Sequence, residues 1–314
     1  PGMEGIGRAR GVGHWMDEYR PFIDGSEGRD RRKVAKGERG RPGMEGIGRA
    51  LDGVRNLGHM LLAIDVGNTQ THIGAFRGEE LAEDWRFQTR AGATADELAT
   101  IIRGLFELKG MGLSEIESVV TSSVVPPLGP EYESMAARYL DVSCLVVGPG
   151  VKTGMAIEVD NPAEVGADRL VNAIAAYEQV GDVCVGVDFG TGINFDVVSA
   201  DGAYLGGAIA PGVEISLSAL AERAARLPKI ELAEPSGVIG TSSKAAIQSG
   251  VLYGFAGLVD GIAARFNREL GGEATFIATG GFAPVIVPFT ETISRIDPHL
   301  TLEGLRIIEG RNRD

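Results

Sequence analysis

Two short stretches of this chain place an acid where an apolar run meets a glycine turn. In the first, Leu61-Leu-Ala-Ile runs into Asp65, followed by Val66, Gly67, Asn68, Thr69, Gln70, Thr71 and His72. In the second, Val183-Cys-Val-Gly-Val runs into Asp188, then Phe189, Gly190 and Thr191. A strand, a tight glycine turn and a returning strand present backbone and side-chain donors that suit phosphate oxygens. An acid at the strand end can hold a magnesium ion, directly or through its water, and Asp65 is the candidate for that ligand. One such hairpin is an ordinary β-turn, but two of them suggest paired half-folds with a nucleotide's phosphates between them.

Two further stretches could do chemistry. Gly166, Ala167, Asp168 and Arg169 stand at the start of a helical pattern, where free N–H groups favour an anion. Thr279-Gly280-Gly281 follows a short apolar strand. Glycines there remove side chains that would block a flat base or ribose.

The elements that must position these residues follow from periodicity. The pattern predicts strands ending at Asp65, over Thr71–Phe76 and over Glu83–Gln88, then a helix over Asp96–Lys109 capped by Thr94. A strand over Ser118–Val125, a helix over Glu131–Leu140 and a strand over Ser143–Val147 complete a β-β-β-α-β-α-β order, that of a ribonuclease-H-like half. A helix from about Gly166 to Gln179 leads into the second half. There the hairpin at Asp188 continues through Asp196–Ser199 and Ala203–Ile209, a helix from Pro211 to about Arg226, a long helix over Lys244–Leu270 and a strand over Thr275–Ala278. Glycines at 250, 254, 257 and 261 mark a face of the long helix that another backbone could approach, inside the domain or from a second subunit.

Residues 1–59 read differently. Pro1–Ala9 recurs residue for residue as Pro42–Ala50, and the segment holds 14 glycines with no sustained apolar period. It is expected to be a disordered tail or a mis-called upstream start, with Met60 a natural initiator. The whole chain of 314 residues carries a net charge of −13, which argues against non-specific nucleic-acid binding. No apolar run approaches the length a membrane helix needs. Cys144 and Cys184 lie in apolar runs and read as buried hydrophobes, so a cytoplasmic location is expected.

Taken in order, Asp65-Val-Gly-Asn-Thr69, Gly148-Pro-Gly-Val-Lys-Thr-Gly154, Gly166-Ala-Asp-Arg169, Asp188-Phe-Gly-Thr191, Gln248-Ser-Gly250, Ala278-Thr-Gly-Gly281 and Asp297-Pro-His-Leu-Thr-Leu-Glu-Gly-Leu305 resemble the type III pantothenate kinases. That family belongs to the acetate-kinase/sugar-kinase/Hsp70/actin superfamily. The resemblance covers 60–311 and implies an α/β fold of two ribonuclease-H-like domains, 60–180 and 181–314, with the active site in the cleft between them. It implies phosphorylation of pantothenate by ATP with magnesium, a monovalent cation such as potassium or ammonium, and a homodimer. By position, the ATP phosphate loop falls on Asp65–His72, with a second phosphate contact on Thr191. The monovalent-cation ligand falls on Asp188. The substrate motif falls on Gly166–Arg169 with Asp168 as general base, and a further substrate contact falls on Ser243, supplied across the dimer.

Three stretches depart from the family pattern. Thr191 is followed by Gly192-Ile193-Asn194 rather than Ala-Thr-Thr, Gly-Lys-Asn-Thr has become Gly240-Thr-Ser-Ser243, and Val159 replaces a tyrosine. These departures motivate two rival expectations. One is a catalytically weak nucleotide-binding paralogue acting as scaffold or regulator. The other is a kinase for a different hydroxy-acid or polyol.

Overall fold

The computed structural model describes residues 60–223 and 230–313. The repeat-bearing segment 1–59, with its expected disorder, and the expected end of the helix after Pro211 lie outside the described residues.

Two five-stranded sheets share one topology. The first runs through β1 (Met60–Val66), β2 (Gln70–Arg77), β3 (Glu80–Gln88), β4 (Ile116–Ser123) and β5 (Cys144–Val146), in the spatial order β3-β2-β1-β4-β5. The first three strands form an antiparallel meander, and β4 and β5 join parallel to β1. The second contains β6 (Cys184–Phe189), β7 (Gly192–Val198), β8 (Tyr204–Pro211), β9 (Thr275–Thr279) and β10 (Ile293–Ile296), ordered β10-β9-β6-β7-β8. It repeats the same pairing, with β6–β7–β8 antiparallel and β9 and β10 parallel. Both sheets have the ribonuclease-H-like order expected.

Helices α1 (Ala95–Leu108) and α2 (Leu128–Met135, continued by a π-helical turn over Ala136–Leu140) cover the outer face of the first sheet. Thr94 caps α1 as expected, its hydroxyl accepting from the Glu97 N–H while Glu97 reaches back to the Thr94 N–H. Removing such a cap typically costs about 1 kcal/mol. Helix α3 (Ala167–Val180) and the last helix, α7 (Leu300–Asn312), lie between the sheets. Helices α4 (Val213–Arg223), α5 (Ser243–Leu270) and the short α6 (Ala283–Ile286) belong to the second half, where α5 and α6 pack on the outer face of its sheet.

Period-two alternation decides where the acids go. On β1, Met60, Leu62, Ile64 and Val66 enter the outer core, whereas Leu61 and Ala63 face the central one. Asp65 shares the parity of Leu61 and Ala63. On β6, Val185, Val187 and Phe189 enter the outer core of the second half, and Cys184 faces the centre. Asp188 shares the parity of Cys184. Both acids therefore project from the inner faces of the two sheets.

Helix α5 departs from expectation in one respect. It is long and apolar enough, by length and composition, to cross a membrane. Yet Leu252, Val259 and Ala263 enter the core of the second half. A side chain built at Gly250, Gly254 or Gly257 would meet nothing within 4 Å. Of the two expected uses of that glycine face, packing inside the domain is absent among the described residues.

Cys144 is half-buried and Cys184 buried, both are free, and burial pushes each thiol up to about 12.

Candidate active site

The ends of β1 and β6 meet across a cleft of about 880 Å³. It is lined by Asp65, Gly67, Asn68, Thr69, Gln70 and His72 from the first hairpin, and by Asp188, Thr191 and Asn194 from the second. Asp168, Gly280 and Gly281 line it as well. Leu217, Leu220, Leu232 and Ile247 add apolar surface to the lining, beside Glu214, Ser218 and Glu222.

Asp65 is partly held by the protein. β4 runs parallel beside β1 and places Ser122 opposite Asp65, where the Ser122 hydroxyl donates to Oδ1 at 2.8 Å. Burial nevertheless raises the Asp65 carboxyl to about 6, against the Ser122 bond and with a further push from Asp168. Asp188 has no such donor among the described residues. The parallel neighbour β9 sets Thr279 opposite it, and Gly280 follows at φ +91°. A Cβ at Gly280 would stand 2.4 Å from the Asp188 carboxylate and 2.6 Å from the Phe189 carbonyl carbon. Burial, reinforced by Asp65, Asp168 and Asp196, raises Asp188 to about 7.

Asp168 lies in the first turn of α3, after the N-cap Gly166. Its carboxylate folds back over that residue, and a Cβ on Gly166 would come within 2.6 Å of Oδ1. The glycine thus leaves the space that the acid occupies. Arg169 donates from Nε to Asp196 Oδ1 at 2.8 Å.

The first turn differs in detail from expectation. The Gly67 N–H is not free to meet a ligand, because it donates to the Gln70 carbonyl at 3.1 Å and closes the hairpin. Asn68, Thr69 and Gln70 are exposed at the turn, and Thr191 is exposed at the other. The side chains of Val66 and Thr71 are buried, with Val66 in the outer core and Thr71 sharing a 2.9 Å hydrogen bond with Thr89. His72 lines the cleft but is tied to Asp84 at 2.8 Å, and burial lowers its pKa. Asp84 also faces His299, and its bonds to the two imidazoles hold its carboxyl well below the usual range.

Gly166, Ala167 and Arg169 adjoin Asp168 but do not themselves line the cleft. Ser243 is exposed at the first position of α5, and it too is absent from the cleft wall of this chain. Val159 packs at the edge of the central core. Ile193 is fully buried in the outer core of the second half, while Asn194 takes the cleft-facing parity. The lost hydroxyl at 193 is therefore a core change and leaves the cleft lining polar.

The sequence reading missed Arg86, Ser122, Asp196 and the apolar lining from Leu217, Leu220, Leu232 and Ile247. Arg86 is an exposed cation on the cleft wall, paired across β2–β3 with His72, and its charge acts on both Asp65 and Asp188. The strand reading over 118–125 contained Ser122 but gave no register that would set it beside Asp65.

A family model described as type III pantothenate kinase matches residues 61–265. A type III pantothenate kinase from Anaeromyxobacter sp. (strain Fw109-5) is 51% identical over 254 residues, covering 81% of this chain and 100% of that relative. Among solved structures, a conserved Baf family protein from Campylobacter jejuni aligns with TM-score 0.52 at 18% identity, over 80% of this chain and 98% of that one. A chain from Sinorhizobium meliloti named as a 2-dehydro-3-deoxygalactonokinase aligns with TM-score 0.51 at 12% identity, over 80% and 96% respectively. At such identities the two structural likenesses bear on the fold alone.

Proposed function

The chain belongs to the type III pantothenate kinase family, and from that premise we propose how its cleft performs the reaction. The enzyme transfers a phosphoryl group from ATP, with a divalent metal, to the primary hydroxyl of pantothenate, giving 4′-phosphopantothenate for coenzyme A biosynthesis. The fold is the α/β, two-domain actin-like one. We take the two halves as 60–180 and 181–314, with α7 returning to the space between the sheets.

The observation that carries the mechanism is the convergence of Asp65, Asp168 and Asp188 on one cleft with a glycine turn on either side. Phosphoryl transfer asks the protein chiefly for positioning and charge neutralisation. In our reading the nucleotide's phosphates lie across the two turns, at Asn68–Gln70 and Thr191, with its base against the apolar lining and Gly280–Gly281 beside the ribose. Gly67 and Val66 shape the first turn, Thr71 and His72 stiffen its returning strand, and Arg86 offsets the phosphate charge.

Among the described residues, no three acids, histidines or cysteines are close enough to cage a metal alone. That donor set fits magnesium, which keeps several waters and takes one or two carboxylates together with phosphate oxygens. Asp65 would be its protein ligand. The ion would supply charge neutralisation on the phosphates. Asp188, to which no side chain among the described residues donates, suits a monovalent cation, potassium or ammonium.

Asp168 is the proposed general base, accepting the pantothenate hydroxyl proton as the oxygen attacks the γ-phosphorus. It sits in the first turn of α3, at the positive end of that helix's dipole. Arg169 would hold the pantothenate carboxylate, with Gly166 and Ala167 shaping that end of the motif. Ser243, exposed and away from the cleft of its own chain, suits a contact delivered to a partner's pocket. The open glycine face of α5 and the exposed Ile209 and Ile215 support a homodimer. Free thiols, one half-buried and one buried, accord with a cytoplasmic enzyme.

The test is Asp168→Asn in a coupled ADP-release assay. The proposal expects kcat to fall by about 10²–10⁴ with unchanged folding. Turnover near wild type would remove Asp168 as the base.

A further inference from the structure

Asp196 lies in the interior of β7, its side chain 1% exposed, outside every motif that marks the site. Its Oδ1 accepts from Arg169 Nε at 2.8 Å and from the Tyr204 hydroxyl at 2.9 Å, while the buried Oδ2 has no hydrogen-bond partner among the described residues. Tyr204 is fully buried on β8, and the Arg169 guanidinium lies 6.0 Å from its ring centroid. Backbone bonds pin Tyr204 to the segment before the substrate motif, its N–H donating to Ala156 O and its carbonyl accepting from Glu158 N, both at 2.8 Å.

A buried carboxylate with one orphaned oxygen is costly unless its charge is compensated. Arg169 is the cation that supplies this, through a single N–H. Among the described residues, no acceptor engages either of its Nη groups. An arginine loses rotamer entropy when a ligand must order it, and an Nε anchor removes part of that cost beforehand. The remaining donors stay free to grip a carboxylate.

We propose that Asp196, braced by Tyr204, is a positioning residue that acts through Arg169 to hold the acceptor's carboxylate. The inference rests on the reading that Arg169 takes that carboxylate. It assigns Asp196 no contact with the substrate and no part in the proton transfer.

The test compares the full chain with Asp196→Asn, Arg169→Ala and the double variant. The acceptors are pantothenate and pantothenyl alcohol, in which a hydroxymethyl group replaces the carboxylate. Asp196→Asn should raise KM for pantothenate about tenfold or more, leave KM for ATP within about twofold, and change little with the alcohol. The double variant should be no worse than Arg169→Ala alone. Additive losses, or a KM for ATP that rises equally, would overturn the inference. Arg169→Ala losing as much with the alcohol as with pantothenate would instead displace the carboxylate reading, while non-additivity would still couple Asp196 to Arg169. Should Asp196→Asn not fold, Tyr204→Phe removes one donor from Asp196 and leaves the arginine contact. A rise of about threefold in KM for pantothenate that disappears in an Arg169→Ala background supports the inference, and an equal effect in both backgrounds overturns it.

Discussion

The hairpins at Asp65 and Asp188 are built from the same backbone device and finished differently. Each is the end of a central strand, antiparallel to its successor and parallel to a strand arriving from later in the chain. For Asp65 that neighbour brings Ser122, a donor at 2.8 Å. For Asp188 it brings Gly280, whose missing side chain leaves the space that the carboxylate occupies. One acid is partly satisfied by protein and rises to about 6, and the other has burial with no donor among the described residues and rises to about 7. Duplicated topology therefore supplies two carboxylates, and the neighbouring parallel strand decides what each one lacks. Asp188 lacks more, and in our account a cation makes up the difference.

The hardest way to break this pairing is Gly280→Ala. The new Cβ would collide with Asp188 and the Phe189 backbone at a φ that L-residues avoid. Displacing the acid by about 1 Å should cost roughly 10²-fold in kcat, and the backbone strain about 1–3 kcal/mol of stability. Gly281→Ala, where a Cβ meets nothing within 4 Å, is the control and should leave stability within about 0.5 kcal/mol. Denaturant melts and steady-state kinetics on both variants separate the cases.

Gly166→Ala should act on the third acid with little structural cost. The methyl would push the flexible Asp168 carboxylate from its place over the helix start. We expect kcat to drop by about tenfold or more with KM for ATP held, since the effect is again a misplaced group.

Ser122→Ala should make Asp65 resemble Asp188. Losing a hydrogen bond to a charged group is worth about 1.5–3 kcal/mol in favourable cases. The acid limb of the kcat/KM profile should accordingly move to higher pH. An unmoved limb would assign that limb to another group.

The smallest expected effect is on stability, and its sign is opposite to that of most paired carboxylates. Asp65 and Asp188 are raised above their ordinary values, so between about pH 4 and 7 the folded state binds more protons than the unfolded one. Stability of the ligand-free protein should fall as pH rises through that window and recover on lowering pH, while activity does the reverse. Thermal melts at pH 5 and pH 8, with and without potassium and magnesium-ATP, check this. A cation effect confined to pH 8 is the expected pattern.

Much of the fold was legible because it is local. The alternation around Asp65 and Asp188 gave the hairpins, and the Thr94 cap with Glu97 gave α1 its start. The relation between the two acids and their neighbours was not legible. Ser122 lies 57 residues from Asp65 and Gly280 lies further still from Asp188, and parallel register across a crossover leaves no signature in sequence spacing. Thr-Gly-Gly read as clearance for a base or ribose, and nothing in the spacing showed that Gly280 also leaves room for Asp188. Gly67 read as leaving donors free, although its own N–H closes the turn. Arg86 was hidden because a charge on an edge strand is ordinarily a solvated face. Ser243 was found by resemblance alone, and no feature of its own chain brings it to the cleft.

The most direct test is potassium titration of pantothenate-dependent ADP release, wild type against Asp188→Asn, with magnesium-ATP saturating and sodium holding ionic strength constant. The account predicts potassium-stimulated turnover in the wild type and a flat potassium response in the variant, with Asp65→Asn instead losing the response to magnesium. A variant at Asp188 that keeps wild-type potassium activation would contradict the division of labour between the two hairpins.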